Sequence, residues 1–302
     1  MSSPTISPAP LEAAELPELF EPPRVYGPVR TWLRRHPAMA AGGGLLIVMT
    51  LIALMAPWIA THDPGQMTPA LRGRAPSAEH WLGTDMLGRD LFARVVYGAR
   101  MSLTVGFAVA VLATFLGVAL GVVSGFVRWA DTIIMRVTDG LMSIPPILLA
   151  IALTAISRPS VTNVIVAISI AEMPRMSRLV RGVVLSLREQ PYVLAATASG
   201  TSTLRIIARH ILPNTLAPIT VQATYICAAA MITEAILSFI GAGAPASIPS
   251  WGNIISEGRA VWQIRPWLVF FPAVFLSLTV LAVNLLGDGM RDALDPRMAK
   301  RV

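Results

Sequence analysis

The sequence predicts an all-α membrane protein that crosses the bilayer six times, with both termini in the cytoplasm. Of its 302 residues, 54% are hydrophobic and only 14% charged, too apolar a balance for a water-soluble domain. Six apolar runs approach or exceed the roughly 20 residues that a helix needs to cross hydrocarbon. The basic residues are also lopsided. Sixteen of the 24 Lys and Arg fall on segments that six crossings place beside the N-terminus, and eight (Arg72, Arg74, Arg89, Arg94, Arg100, Arg158, Arg259, Arg265) fall on the other side. Basic loops stay in the cytoplasm, so both chain ends are expected there.

Residues 1–37 are rich in Pro and carry Glu12, Glu15, Glu18 and Glu21 without apolar periodicity; they read as a mobile cytoplasmic tail. The first apolar run, from about Ala38 to Ile59, follows Arg34 and Arg35 and is too long for a signal peptide, so it is a spanning anchor. Residues 38–100 thus comprise a first span and an external leader. Within the leader, Gly83 and Gly88 have the spacing of a phosphate loop, but the Lys-Ser/Thr and the preceding strand are missing. A helix from Arg89 to Arg100, with Leu91, Phe92 and Val95 on one side, is expected to lie along the interface.

Further runs at 101–127, 132–156, 161–183, 215–241 and 267–287 complete the six, giving a core over 101–290 and a cytoplasmic tail over 291–302. Gly117, Gly121 and Gly125 recur every fourth residue and admit a neighbouring helix at close range. Pro145-Pro146 and Pro174 remove backbone donors and should kink or break their helices. Pro249 to Arg259 suggests a short outer helix whose Trp251 anchors at the interface.

Ionisable groups in apolar runs are costly and draw a functional reading. Asp139 is expected to pair locally with Arg136. Arg175, Arg178 and Arg181 repeat every third residue and suit headgroups or a partner. For Glu234, with Ser238 after it, two readings stay open: a side chain of the translocation pathway, or a structural group near the outer helix end.

The most specific polar stretch is residues 186–213. Pro191 suits the first turn of a helix, Tyr192 to Ser199 continue it, and Gly200 suits the left-handed conformation that ends one. Thr201 or Ser202 would cap a second short helix bearing Leu204, Ile207 and Ile211, which Pro213 would end; Arg205, Arg209 and His210 would face water.

The paired alanines Ala195 and Ala196, Gly200 four residues on, and Ile211-Leu212-Pro213 resemble the cytoplasmic coupling loop of bacterial ATP-binding cassette importer permeases. Leu194 departs from that pattern, which usually has Glu. Trp81 to Asp90, with Tyr97-Gly98-Ala99-Arg100, resembles the leader of C-type subunits in the dipeptide/oligopeptide permease family. Asn284 to Arg297 resembles that family's closing segment. The resemblance implies the binding-protein-dependent importer permease fold in the bacterial inner membrane. It also implies a loop, including Tyr192, Leu194 and Pro213, that couples to an ATPase. The implied partners are a homologous second permease, two ATPase subunits and an external substrate-binding protein. The implied cargo is di- or oligopeptides, with nickel chelates, glutathione or other conjugates as alternatives.

Other classes fit less well. The dispersed arginines form no nucleic-acid patch. The single Cys227 excludes a disulfide framework, and His36, His62, His80 and His210 show no metal-ligand spacing, so neither cofactor nor metal is expected. No Walker-type loop is present, so ATP hydrolysis would belong to a partner. A secondary transporter is the alternative, but it would need internal repeats and an ion site.

Overall fold

A computed structural model describes residues 36–156 and 160–294; the expected tails at 1–35 and 295–302 lie outside them. The described residues are helices and their connections, with one isolated bridge between Thr84 and Asp90. The helices of eight or more residues are α1 (Pro37–Leu54), α2 (Leu91–Phe126), α3 (Arg128–Met142), α4 (Pro146–Ile156), α5 (Val161–Arg188), α6 (Pro191–Ala198), α7 (Thr203–Phe239), α8 (Trp251–Gly258) and α9 (Trp267–Leu294).

Four of these, α1, α2, α7 and α9, are long and apolar enough to cross a membrane. A fifth crossing follows if α3 and α4 are one span bent by 92°. That bend is where Pro145-Pro146 withdraws backbone donors, as the sequence suggested. Pro174, by contrast, sits inside an unbroken α5. Although 28 residues long, α5 also carries Glu172, Arg175, Arg178, Arg181 and Arg188, which dilute its apolarity.

One expectation fails at the start of α2. Arg89 to Arg100 is not an interfacial helix, because residues from Leu91 onward are the first turns of a 36-residue rod. Asp90 caps it by accepting the N–H of Ala93 at 2.7 Å, and Leu91 and Val95 are fully buried. At 1.5 Å per residue the rod is about 54 Å long, so it extends well beyond the ~30 Å of hydrocarbon.

α2 is the spine of the bundle. Its glycine row faces α5: a β-carbon on Gly117 would stand 2.6 Å from that of Met176, and one on Gly121 2.7 Å from that of Val180. No side chain fits those gaps, so the two backbones meet as the spacing implied. Gly106 faces Met231 of α7, and Gly42 and Gly289 bring α1 against α9 in the same way. The core threads along this seam through Val105, Val109, Ile168, Met176, Val180, Ile226 and Leu237. On the outside, Phe107 and Phe115 of α2 are each 70% exposed, as a helix apolar all round requires of a lipid or partner face.

Candidate coupling surface and buried polar sites

The 186–213 segment closes one end of the bundle, where α2 and α5 finish. Gln190 precedes Pro191, whose missing N–H costs nothing in a first helical turn. α6 ends in a Schellman motif. Gly200, at φ +74°, donates to Thr197 O at 3.0 Å, and Thr201 donates to Ala196 O at 3.1 Å. Val193, Ile206 and Ile211 are buried and hold the loop to the core. Tyr192, Leu194, Ala195, Gly200, Arg205, Arg209 and Pro213 are exposed, while Ala196 and His210 are half-buried. Leu204 is 79% exposed, and the rings of Tyr192 and His210 lie 6.1 Å apart.

Pro213 does not end a second short helix. Thr203 begins a helix that runs to Phe239, and five residues, Ile207–Ile211, form a π-turn just before the proline. Leu212 donates to Ile207 O, one residue further back than in an α-helix. This wider turn stands where a proline would otherwise disturb the ladder. Ser202 is the N-cap, but its hydroxyl makes no capping bond.

Each arginine of the basic row of α5 pairs with an acid. Arg181 grips Asp131 through two bonds of 2.5 and 2.7 Å, Arg178 reaches Asp139 at 2.5 Å, and Arg175 lies 3.3 Å from Glu172. Asp139 thus pairs across to α5, and its expected local pair with Arg136 does not form. Arg188 donates to Gly125 O and covers the Phe126 ring at 5.1 Å, closing the turn between α2 and α3.

The opposite end of α2 holds a network that sequence reasoning missed. Asp85 accepts from Arg89 Nε at 2.6 Å and from Arg94 Nη1 at 2.5 Å, and both arginines also reach Glu257 of α8. Burial pushes the Asp85 carboxyl upward. The backbone N–H of Arg89, the charges of Arg94 and Arg89 and the N–H of Leu87 outweigh that and hold it below its ordinary value. Trp251 is fully buried and donates to Val95 O at 3.0 Å, so it pins α8 to α2 instead of anchoring at an interface. An arginine one turn inside an apolar helix was the signal available for this network.

Glu234 is fully buried, and Ser238 donates to its Oε1 at 2.7 Å. Its Oε2 and the Ser102 hydroxyl are buried without a partner among the described residues. His62, His80 and Asp90, far apart in sequence, come within 4.8 Å of one another in the leader, so spacing alone hid that cluster.

Residues 94–300 match the family model of the binding-protein-dependent transport system inner membrane component. The chain belongs to this family. Residues 29–76 of this permease also match the N-terminal transmembrane domain of oligopeptide transport permease C. It is 53% identical over 268 residues to a probable peptide ABC transporter permease of Sinorhizobium fredii, covering 89% of this chain and 92% of that one. A dipeptide transport system permease of Alkalihalophilus pseudofirmus is 48% identical, with 84% and 85% covered. A glutathione transport system permease of Pectobacterium atrosepticum is 42% identical, with 89% and 90% covered. Among solved structures, the inward-facing MetNI methionine ABC transporter superposes with a TM-score of 0.57 at 19% identity, over 68% of this chain and 98% of that one; this shows the shared fold. The chain is therefore an inner-membrane permease subunit and not itself a catalytic enzyme.

Proposed function

We propose that this permease is half of the translocation pathway of an ATP-driven importer for di- or oligopeptides or similar small solutes. In this reading it crosses the membrane six times, with both termini and the 186–213 loop in the cytoplasm. It works with a homologous second permease, two ATPase subunits and an external binding protein. The names carried by its relatives support peptides, with glutathione as the nearest alternative cargo. The excess of arginine on one side supports the orientation.

The observation that carries the ATPase contact is the loop itself: a glycine-closed turn rooted by Val193, Ile206 and Ile211 that presents Tyr192, Leu194, Leu204 and Arg205 outward. Exposed apolar and basic groups on a rooted turn suit a protein cleft. Gly200→Val tests it, because a β-branched residue resists the left-handed turn. The variant should insert and assemble, yet hydrolyse ATP without transporting; normal binding-protein-stimulated uptake in proteoliposomes would sink the proposal. The isolated chain should pass no solute, and robust flux without ATPases would contradict the half-pathway reading.

Glu234 tests the pathway. If it steers a peptide amino group, Glu234→Gln slows uptake of a free-amine dipeptide more than that of its N-acetyl form. Equal slowing of both assigns Glu234 a structural role.

A further inference from the structure

We propose that the leader holds a divalent transition-metal ion of the zinc class, ligated by His62, His80 and Asp90. The donor geometry comes first. His80 Nδ1 lies 2.8 Å and His62 Nδ1 4.0 Å from Asp90 Oδ1, and the three donors fall within 4.8 Å of one another. Ligand atoms of a tetrahedral site with bonds of 2.0–2.1 Å stand roughly 3.3 Å apart, so the set closes when the widest separation shrinks by about 1.5 Å, a movement shared between side chains. The two imidazoles are already packed together, with ring centroids 4.7 Å apart.

The second observation is independent of that spacing. His80 is only 4% exposed, yet its Nε2 has no hydrogen-bond partner among the described residues. A buried ring nitrogen left unpaired costs of the order of 1–3 kcal/mol. With Nδ1 on the ion, the ring's proton stays on Nε2, where a water in the cavity that His80 lines can accept it. Asp90 is held in place meanwhile, since its Oδ2 accepts the N–H of Ala93 at 2.7 Å. Metal ligands are commonly oriented by such outer bonds.

Charge agrees. The three groups line a cavity of about 170 Å³ shared with Asp63, Gln66 and Glu79 and with no Lys or Arg. Three carboxylates and no cation make a pocket that attracts positive charge, with room for an ion and a few waters. Two imidazoles select zinc-like ions over calcium or magnesium, which prefer all-oxygen shells. Such an ion would fasten the segment just after α1 to the cap of α2. This inference does not depend on the cargo or on the ATPase contact.

Zinc itself is the probe, on the full untagged chain in detergent after chelator treatment. The expected result is one Zn²⁺ bound per chain by calorimetry and elemental analysis, no heat from Ca²⁺ or Mg²⁺, and an affinity at least about tenfold lower in His62→Gln. X-ray absorption on the wild-type protein provides a readout that does not depend on the variant folding. A shell with two imidazole nitrogens and a carboxylate oxygen supports the site. Absence of stoichiometric zinc, binding undiminished in a folded His62→Gln variant, or a shell with fewer than two imidazoles overturns it.

Discussion

The two ends of α2 are secured by opposite means. At its start, Asp85, Arg89, Arg94 and Trp251 are all buried and bonded to one another or to α8. At its finish, the loop is held by three apolar side chains and one glycine turn, and the nearby α3–α5 pair Arg178–Asp139 is more than half exposed. The first end is built to keep its shape unaided. The second leaves Tyr192, Leu194, Leu204 and Arg205 outside. Rigidity and availability are thus separated by the length of one helix.

The largest test of that contrast is Arg94→Ala. It leaves Asp85 and Glu257 to Arg89 alone; removing one member of a buried pair costs on the order of 3 kcal/mol or more, and the bonds that Arg89 keeps, with Glu257 30% exposed, temper that figure. Thermal unfolding in micelles should drop sharply, and an unchanged midpoint would break the comparison. Acid probes the same network. Because the Asp85 carboxyl is held below its ordinary 3.8, its contribution is complete above that pH and fades only as pH falls further, through the lowered value. Wild-type protein should therefore lose stability below about pH 4 in a way that Asp85→Asn does not.

Two left-handed glycines sharpen the comparison. A β-carbon on Gly88, at φ +77°, would strike the backbone of Thr68, whereas one on Gly200, at φ +74°, meets nothing within 4 Å. Gly200→Ala should cost only the conformational penalty, about 1–2 kcal/mol and confined to the loop. Gly88→Ala should cost visibly more and disturb the whole leader. Equal losses by thermal shift would mean that the leader is as yielding as the loop. The smallest effect is expected for Arg178→Ala, where an exposed pair is worth about 0.2–1 kcal/mol. A larger loss would show that the α3–α5 clasp is structural.

What the sequence disclosed follows the range of each interaction. The turn at Gly200 was legible because its bonds, from Gly200 to Thr197 and from Thr201 to Ala196, are local. So was the break at Pro145-Pro146. Helix starts were less so. α2 begins ten residues ahead of its apolar run because Arg94 is neutralised by Glu257, 163 residues away, and no local pattern carries that. α7 begins before its prolines because a π-turn absorbs the first of them. Trp251 read as an interface anchor since tryptophan often is one, and only the fold shows Val95 O waiting beneath it.

The unbroken run from Thr203 to Phe239 has a mechanical consequence. Its 37 residues make a shaft of about 55 Å. At the far end, Ser256 of α8 donates to Phe239 O at 2.8 Å. A tilt of about 5° imposed at the turn would sweep the far tip through roughly 5 Å if the shaft stays straight. The proline that seemed to terminate a helix instead lies within the shaft, and the π-turn beside it, with Pro218 one turn on, is where such a stroke could be absorbed or passed on.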